Sequence, residues 1–300
     1  MNRRLSIAMG GGTLTLAASL VVMPGPASAA TSMTARPPVV QIAVSGNQAT
    51  ISQTTMRPGV VEFHVGRTFT IPGSDSGPDT MSIVRTDQLD QVLALLPSVF
   101  GGDPSDSVAL AAAAQSIRTI HAITTWYGGA GKGGVWQANL APGNYYALGV
   151  ESTAIGLAKP VAFTVAGEPR PGMLHSTQAT VRAVGPVGNN KWTFRRSSGA
   201  PIEWLRFTNA ARELHFMDLG GVGSTTTNAK VKKALQGPPG PPPKWLTGPD
   251  LSFDVISPGV SVAIKEDMPA GKYVVDCFMP SESDGMPHAL MGMWKLFIVK

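Results

Sequence analysis

From Val39 onward the chain alternates apolar and polar residues over short runs separated by Gly, Pro and Asn. A period of two predicts half-buried β-strands joined by turns. "VVQIAVSGNQATISQ", "RPGVVEFHVG", "LAPGNYYALGV" and "PVAFTVAG" punctuate the first half in this way, and the second half answers in order with "ATVRAVGPVGNNKWTFRR", "APIEWLRFTN", "MPAGKYVVDCF" and "MWKLFIVK". Gly46-Asn47 corresponds to Gly188-Asn189, and Gly143-x-Tyr145 to Gly271-x-Tyr273. The repetition predicts an all-β chain of two related sandwiches.

Two segments interrupt the alternation. "DQLDQVLALLPSVFGGDPSDSVALAAAAQSIRTIHAI" is Ala-rich and predicts a helical insertion across a sheet edge, with caps at Asp87 and Ser105. "TTTNAKVKKALQ" is its shorter counterpart, and the following "GPPGPPPKW" is too brief for a triple helix and predicts an extended polyproline loop. These breaks divide the chain into a leader at 1–29, a first sandwich with the helical insertion at 30–166, a linker at 167–176 and a second sandwich at 177–300.

The leader reading comes from Arg3 and Arg4, the apolar stretch Gly10 to Met23, and the small residues Ala27-Ser28-Ala29. Together they have the form of a signal peptide and imply a secreted or extracytoplasmic protein. The paired arginines suit either an ordinary basic start or a twin-arginine signal. Removing those two arginines, with no acidic residue in the leader, takes the formal charge from +5 to +3. So mild a balance implies no nucleic-acid partner. Beyond the leader no stretch has the ~18 to 20 apolar residues of a membrane span. About 270 residues remain, enough for two domains with cores of their own and no need of disulfides.

The last stretch, "CFMPSESDGMPHALMGMWKLFIVK", holds the one cysteine together with a histidine and several methionines. Thiolate, imidazole and thioether are soft metal ligands, yet a buried thiol, a loop histidine and core methionines would give the same composition. Order supplies the discrimination. A strand rising from Gly271-x-Tyr273 ends at Cys277, a loop carries His288 and then Met293, and a final strand "WKLFIV" follows. Earlier, "IEWLRFTNAARELHFMDL" ends one strand and starts the next at His215. This arrangement resembles the cupredoxin family of blue copper proteins, and both halves resemble it in fold.

The resemblance implies a mononuclear copper site in the second half, with Cys277 as thiolate, His215 and His288 as equatorial nitrogens and Met293 as a weak axial sulfur. It also implies single-electron transfer without substrate turnover, and a redox partner docking near the His288 loop. Met291 fits the spacing of dinuclear centres, but the second cysteine those need is missing. In the first half the matching "PDTMSIV" has no histidine and Gly149 stands opposite Cys277, so no such copper is expected there. The chain departs from the family in one respect. Ten residues separate Cys277 from His288, where two to four are usual, so "PSESDG" must bulge outward to return the imidazole.

The remaining candidates have structural readings. His64 alternates with core-facing Phe63 and Val65 and is read as a sheet-surface residue. His121 is placed at a helix end, and His175 in the linker. Trp126, Tyr127 and Trp136 are read as edge coverage of a sandwich rather than a sugar platform. "GGAGKGG" around Lys132 lacks the Ser or Thr of a P-loop, and "GSDSGPD" near Ser76 does not match a serine-protease motif. No His-x-His pair of the kind a trinuclear copper cluster uses occurs. The competing reading is a metal-free sandwich pair that serves as a binding or surface-interaction module.

Overall fold

The structure, a computed structural model, describes residues 36–300 apart from 46–47, 67–79, 101–102, 132, 151–158, 198, 200 and 238–242. The expected leader, the Gly46-Asn47 turn, the segment around Ser76, Lys132 and most of the proline run therefore lie outside the described residues.

The first half runs β1 (Val39–Ser45), β2 (Gln48–Ile51), β3 (Thr55–Met56), β4 (Gly59–Val65), β5 (Thr80–Arg85), α1 (Leu89–Phe100), α2 (Ser107–Ile123), β6 (Thr125–Ala130), β7 (Val135–Leu140), β8 (Gly143–Val150) and β9 (Val161–Val165). The second half runs β10 (Ala179–Gly185), β11 (Lys191–Arg196), β12 (Ile202–Ala211), β13 (His215–Val222), α3 (Asn228–Leu235), β14 (Leu246–Asp250), β15 (Phe253–Ile256), β16 (Ser261–Met268), β17 (Gly271–Asp276) and β18 (Trp294–Val299).

The two halves have one topology. The first forms faces β2-β1-β4-β7 and β9-β8-β5-β6, while the second forms β11-β10-β12-β16 and β18-β17-β13-β15, the same order position by position. In these faces β1 runs parallel to β4 and β10 to β12, and the other neighbours are antiparallel; outside the shared pattern, β3 adds to β9 in parallel and β14 pairs with β13. The result is two tandem Greek-key, cupredoxin-like sandwiches, the first carrying helices α1 and α2 between β5 and β6.

The halves join strand to strand. β16 pairs antiparallel with β7 across Ile264↔Trp136, and β15 meets β6 at Ile256↔Tyr127, so both faces continue from one half into the other. Trp136 and Ile264 stand equally far before Tyr145 and Tyr273, which makes the junction an approximate two-fold. Here the expectation for the aromatics is corrected. Trp126, Tyr127 and Trp136 are buried at this junction, not laid over an edge, because the second half covers the strands that carry them. Trp136 stacks on Phe63 at 5.0 Å and meets Phe253 of the other half edge-on at 6.2 Å.

The repeated Gly-x-Tyr turn has a shared structural purpose. Tyr145 Oη donates to the Ala141 carbonyl at 2.6 Å, and Tyr273 Oη to that of Pro269 at 2.9 Å. Each is a tyrosine corner that pins the turn into its sandwich. The helix starts are set by side chains as expected, but the residue differs. Asp106, not Ser105, caps α2 by accepting from the amides of Val108 and Ala109. Asp87 accepts instead from Asn144, and Thr86 Oγ1 takes the Gln88 amide ahead of α1. Thr227 caps α3.

The linker is held by both halves. Arg57 donates to the Glu168 carbonyl, His175 N donates to Gln137, and the His175 ring stacks on Trp204 at 4.2 Å. His64 sits half-exposed beside Glu62, on the face turned away from the core.

Because a fully buried ring at the junction touches both cores, Trp136→Ala is expected to cost about 3–5 kcal/mol. Differential scanning calorimetry should show one transition moving down as a unit. A wild-type protein with two separate transitions, only one of them shifted, would contradict the shared core.

Candidate metal centre

His215 opens β13, and its place is fixed by the buried side chain of Asn209 at the end of the preceding strand. Asn209 Nδ2 donates to the carbonyls of Glu213 at 2.8 Å and Ile256 at 2.9 Å, while its Oδ1 accepts the Ala211 amide at 3.0 Å. These bonds satisfy the backbone of the tight corner between β12 and β13, which would otherwise be buried unpaired. Cys277 follows β17 directly and stands on the neighbouring strand.

The long segment after Cys277 closes on itself. Pro280 and Pro287 form an antiparallel bridge, Ser281 N donates to Met286 O at 2.9 Å and Gly285 N to Ser281 O at 2.8 Å. At the base of this hairpin His288 N donates to Met279 O at 3.0 Å and Ala289 N to Cys277 O at 2.7 Å. The extra residues therefore leave and return at the same level, and His288 comes back beside the thiol. Gly285, at φ +77°, lies flat on the backbone of α2, where a Cβ would stand 1.9 Å from the Leu110 carbonyl oxygen. That contact admits only glycine.

Three ligand atoms converge in this pocket. Cys277 Sγ lies 3.6 Å from His215 Nδ1 and 3.7 Å from His288 Nδ1, and one ligand atom from each residue lies within 4.8 Å of the others. All three residues are buried. Bonds of about 2.3 Å to sulfur and about 2.05 Å to nitrogen, at angles of about 109 to 120°, would put S and N about 3.5 to 3.8 Å apart. The observed spacing fits one ion held between them. Met293 is buried at the end of the same loop, its amide donating to His288 O at 2.9 Å. Met291, by contrast, is 38% exposed.

The electrostatics of the pocket are those of a dry site. Burial pushes the Cys277 thiol well above its ordinary range, against the backbone N–H groups of Met279 and Phe216, which point at the sulfur and favour the thiolate. Burial, reinforced by the neighbouring His288, holds the His215 imidazole well below its usual value and therefore neutral. Its Nε2 is buried without a partner. A cation in the pocket would supply the charge that thiolate formation lacks.

One residue of the pocket was missed by the sequence reading. Glu213 is completely buried two residues before His215, and its Oε2 lies 3.5 Å from His288 Nε2. Burial raises its pKa, yet His288 and the amides of Gly188 and Glu282 outweigh that and leave the carboxylate far below the ordinary range. Little in the sequence marked it, because Glu213 lies in the bend before β13, where strand alternation does not apply and both it and its neighbour Leu214 are buried. His121 stands at the end of α2 as expected, with a partner the sequence did not show. It sits in the last turn of α2 and meets Glu282 of the hairpin at 2.5 Å, which ties the first half to the pocket of the second.

In the first half, the position equivalent to Cys277 is Gly149, paired with Met81. Among the described residues the convergent His and Cys group is the one in the second half.

No family model matches this chain, and no curated protein matches it. Among solved structures, auracyanin B is 22% identical over 40% of this chain and 86% of its own, with a TM-score of 0.24. A dithionite-reduced auracyanin from the photosynthetic bacterium Roseiflexus castenholzii is 22% identical over 40% and 94%, with a TM-score of 0.25. A copper nitrite reductase from Nitrosomonas europaea is 10% identical over 88% and 94%, with a TM-score of 0.23. Likeness at that level fixes no fold, which here is set by the chain's own strand order and register.

Proposed function

We propose that this chain is an exported copper-binding protein that carries single electrons through one mononuclear site in its second sandwich. The observation that carries the reading is the convergence of Cys277 Sγ with the Nδ1 atoms of His215 and His288 in a buried pocket at a spacing that fits one ion. In this reading Cys277 gives the thiolate, the two histidines give equatorial nitrogens, and Met293 gives the weak axial sulfur. Bound copper would supply the one-electron couple.

The chain's own contribution is rigidity and dryness. Asn209 fixes the corner before His215, and the hairpin base fixes His288 against Cys277. Ligands held in place by packing change little between oxidation states. Burial of the whole set leaves no open position for a substrate, which favours transfer over turnover. Electron exchange with a redox partner is placed at the same loop, where Phe278, 42% exposed, and Met291 reach solvent beside the ligands. The domain division at 30–166 and 177–300 belongs to this reading, with the first sandwich metal-free.

One observation favours the alternative of a metal-free interaction module. The distances of 3.6 and 3.7 Å also suit a thiol donating to an imidazole, so the pocket can satisfy itself. Cupric titration separates the two. The mature protein should develop an intense visible thiolate-to-copper band at one equivalent, and Cys277→Ala should abolish it while the protein stays folded. A colourless wild type would overturn the copper reading.

The metal-free state has its own pH signature. His215 has a folded pKa below the unfolded value of 6.5, so its contribution is fully present above that pH and is lost as the pH falls toward the depressed folded value. The unfolded chain takes up a proton there that the buried ring refuses, at a slope of up to about 1.4 kcal/mol per pH unit. Chemical denaturation of metal-free protein should show this loss below the unfolded value, and His215→Gln should flatten it. An unchanged slope in the variant would show that the ring titrates normally.

A further inference from the structure

The Glu213 carboxylate is the centre of a buried network. Its Oε1 accepts from Ser281 Oγ at 3.0 Å and from the Glu282 amide at 2.6 Å. Its Oε2 accepts from the Gly188 amide at 2.8 Å and from Asn190 Nδ2, and faces His288 Nε2 at 3.5 Å. Four donors converge on the two oxygens, an arrangement that suits the ionised carboxylate, and Asn190 Nδ2, which donates to Oε2, also stands 3.4 Å from His288 Nε2. A buried charge costs several kcal/mol unless so many donors surround it.

The donors come from two segments distant in sequence. Gly188 and Asn190 belong to the turn between β10 and β11, and Ser281 and Glu282 to the hairpin between the ligands Cys277 and His288. Glu213 thus clasps the segment that makes the gap between those ligands so long. From the outer side the hairpin is held by α2, through His121 on the Glu282 side chain and Arg118 on its carbonyl.

We propose that Glu213 is a positioning residue of the metal centre: by facing Nε2 of His288 it keeps the proton on that nitrogen, turns a bare Nδ1 toward Cys277, and lends the site a negative charge that favours cupric over cuprous ion. The copper half of this statement rests on the proposed function, and the tautomer half does not. An outer carboxylate on a ligating imidazole fixes ring orientation and raises ligand basicity. The long hairpin makes such a device necessary here, because chain connectivity alone does not aim the ring.

The test begins without metal. Long-range proton–nitrogen correlation spectra of ¹⁵N-labelled wild type should show His288 as the Nε2–H tautomer, and an Nδ1–H ring overturns the proposal at once. In Glu213→Gln, which removes the charge at constant size, that single tautomer should be lost. Its cupric affinity should fall about 10- to 100-fold. Its cuprous affinity should fall less, so the reduction potential rises. Ser281→Ala removes one hairpin donor and leaves the carboxylate, so it should stay within about threefold of wild type. The proposal fails if a folded Glu213→Gln keeps the wild-type tautomer and potential, or if Ser281→Ala loses as much. Should Glu213→Gln not fold, Glu213→Asp takes its place, expected to preserve the potential because it preserves the charge; a potential raised as far as in a neutral site overturns the charge role. A wild type that takes no copper but shows the Nε2–H ring defeats the copper reading and leaves the positioning of His288 standing.

Discussion

The pocket depends on one backbone hydrogen bond, from Ala289 N to Cys277 O at 2.7 Å, with its neighbour from His288 N to Met279 O. These bonds make the ten-residue excursion between Cys277 and His288 begin and end at a single level. Loop-closure entropy grows only slowly with length, so the excursion is cheap once its base is fixed. What it endangers is direction rather than proximity, since a longer loop offers the imidazole more orientations. Direction is recovered from outside the loop, by Glu213 beneath it and α2 above it.

Most of the fold was legible because its signals are local. Alternation and turn residues marked the strands, and the repeated Gly-x-Tyr marked equivalent positions that proved to be the tyrosine corners of Tyr145 and Tyr273. The insertion was legible as helix, and its N-cap moved by one residue because two neighbouring polar residues compete for the same free amides. The junction was not legible. Trp136 looks the same in sequence whether its strand is an edge or is paired with β16, because that pairing is decided by a segment more than a hundred residues away.

The site divides in the same manner. Residue type and order pointed to His215, Cys277, His288 and Met293 because soft donors are rare, and the structure brings ligand atoms of the first three within 4.8 Å of one another. Glu213 escaped because it lies in the bend before β13, where strand alternation gives no guide to which side chains turn inward. A carboxylate next to an arginine, in "ARELHF", reads as surface until the turn of Gly188 and the hairpin of Ser281 are known to converge on it. The contact made by His121 escaped for a simpler reason. Its partner lies in the other half of the repeat.

The duplication itself explains how one half came to serve the other's chemistry. An approximate two-fold through Trp136 and Ile264 brings the insertion of the first sandwich over the ligand loops of the second. With glycine where the second half has cysteine, the first sandwich lacks the thiol, and its helices pack on the hairpin beside the His–Cys pocket of the second. That packing excludes water from one side of the pocket, which strengthens every electrostatic interaction inside it, including that of the Glu213 carboxylate. The helical insertion is therefore part of the site in the physical sense. It helps set the dielectric in which the thiol, the two imidazoles and the carboxylate share their protons.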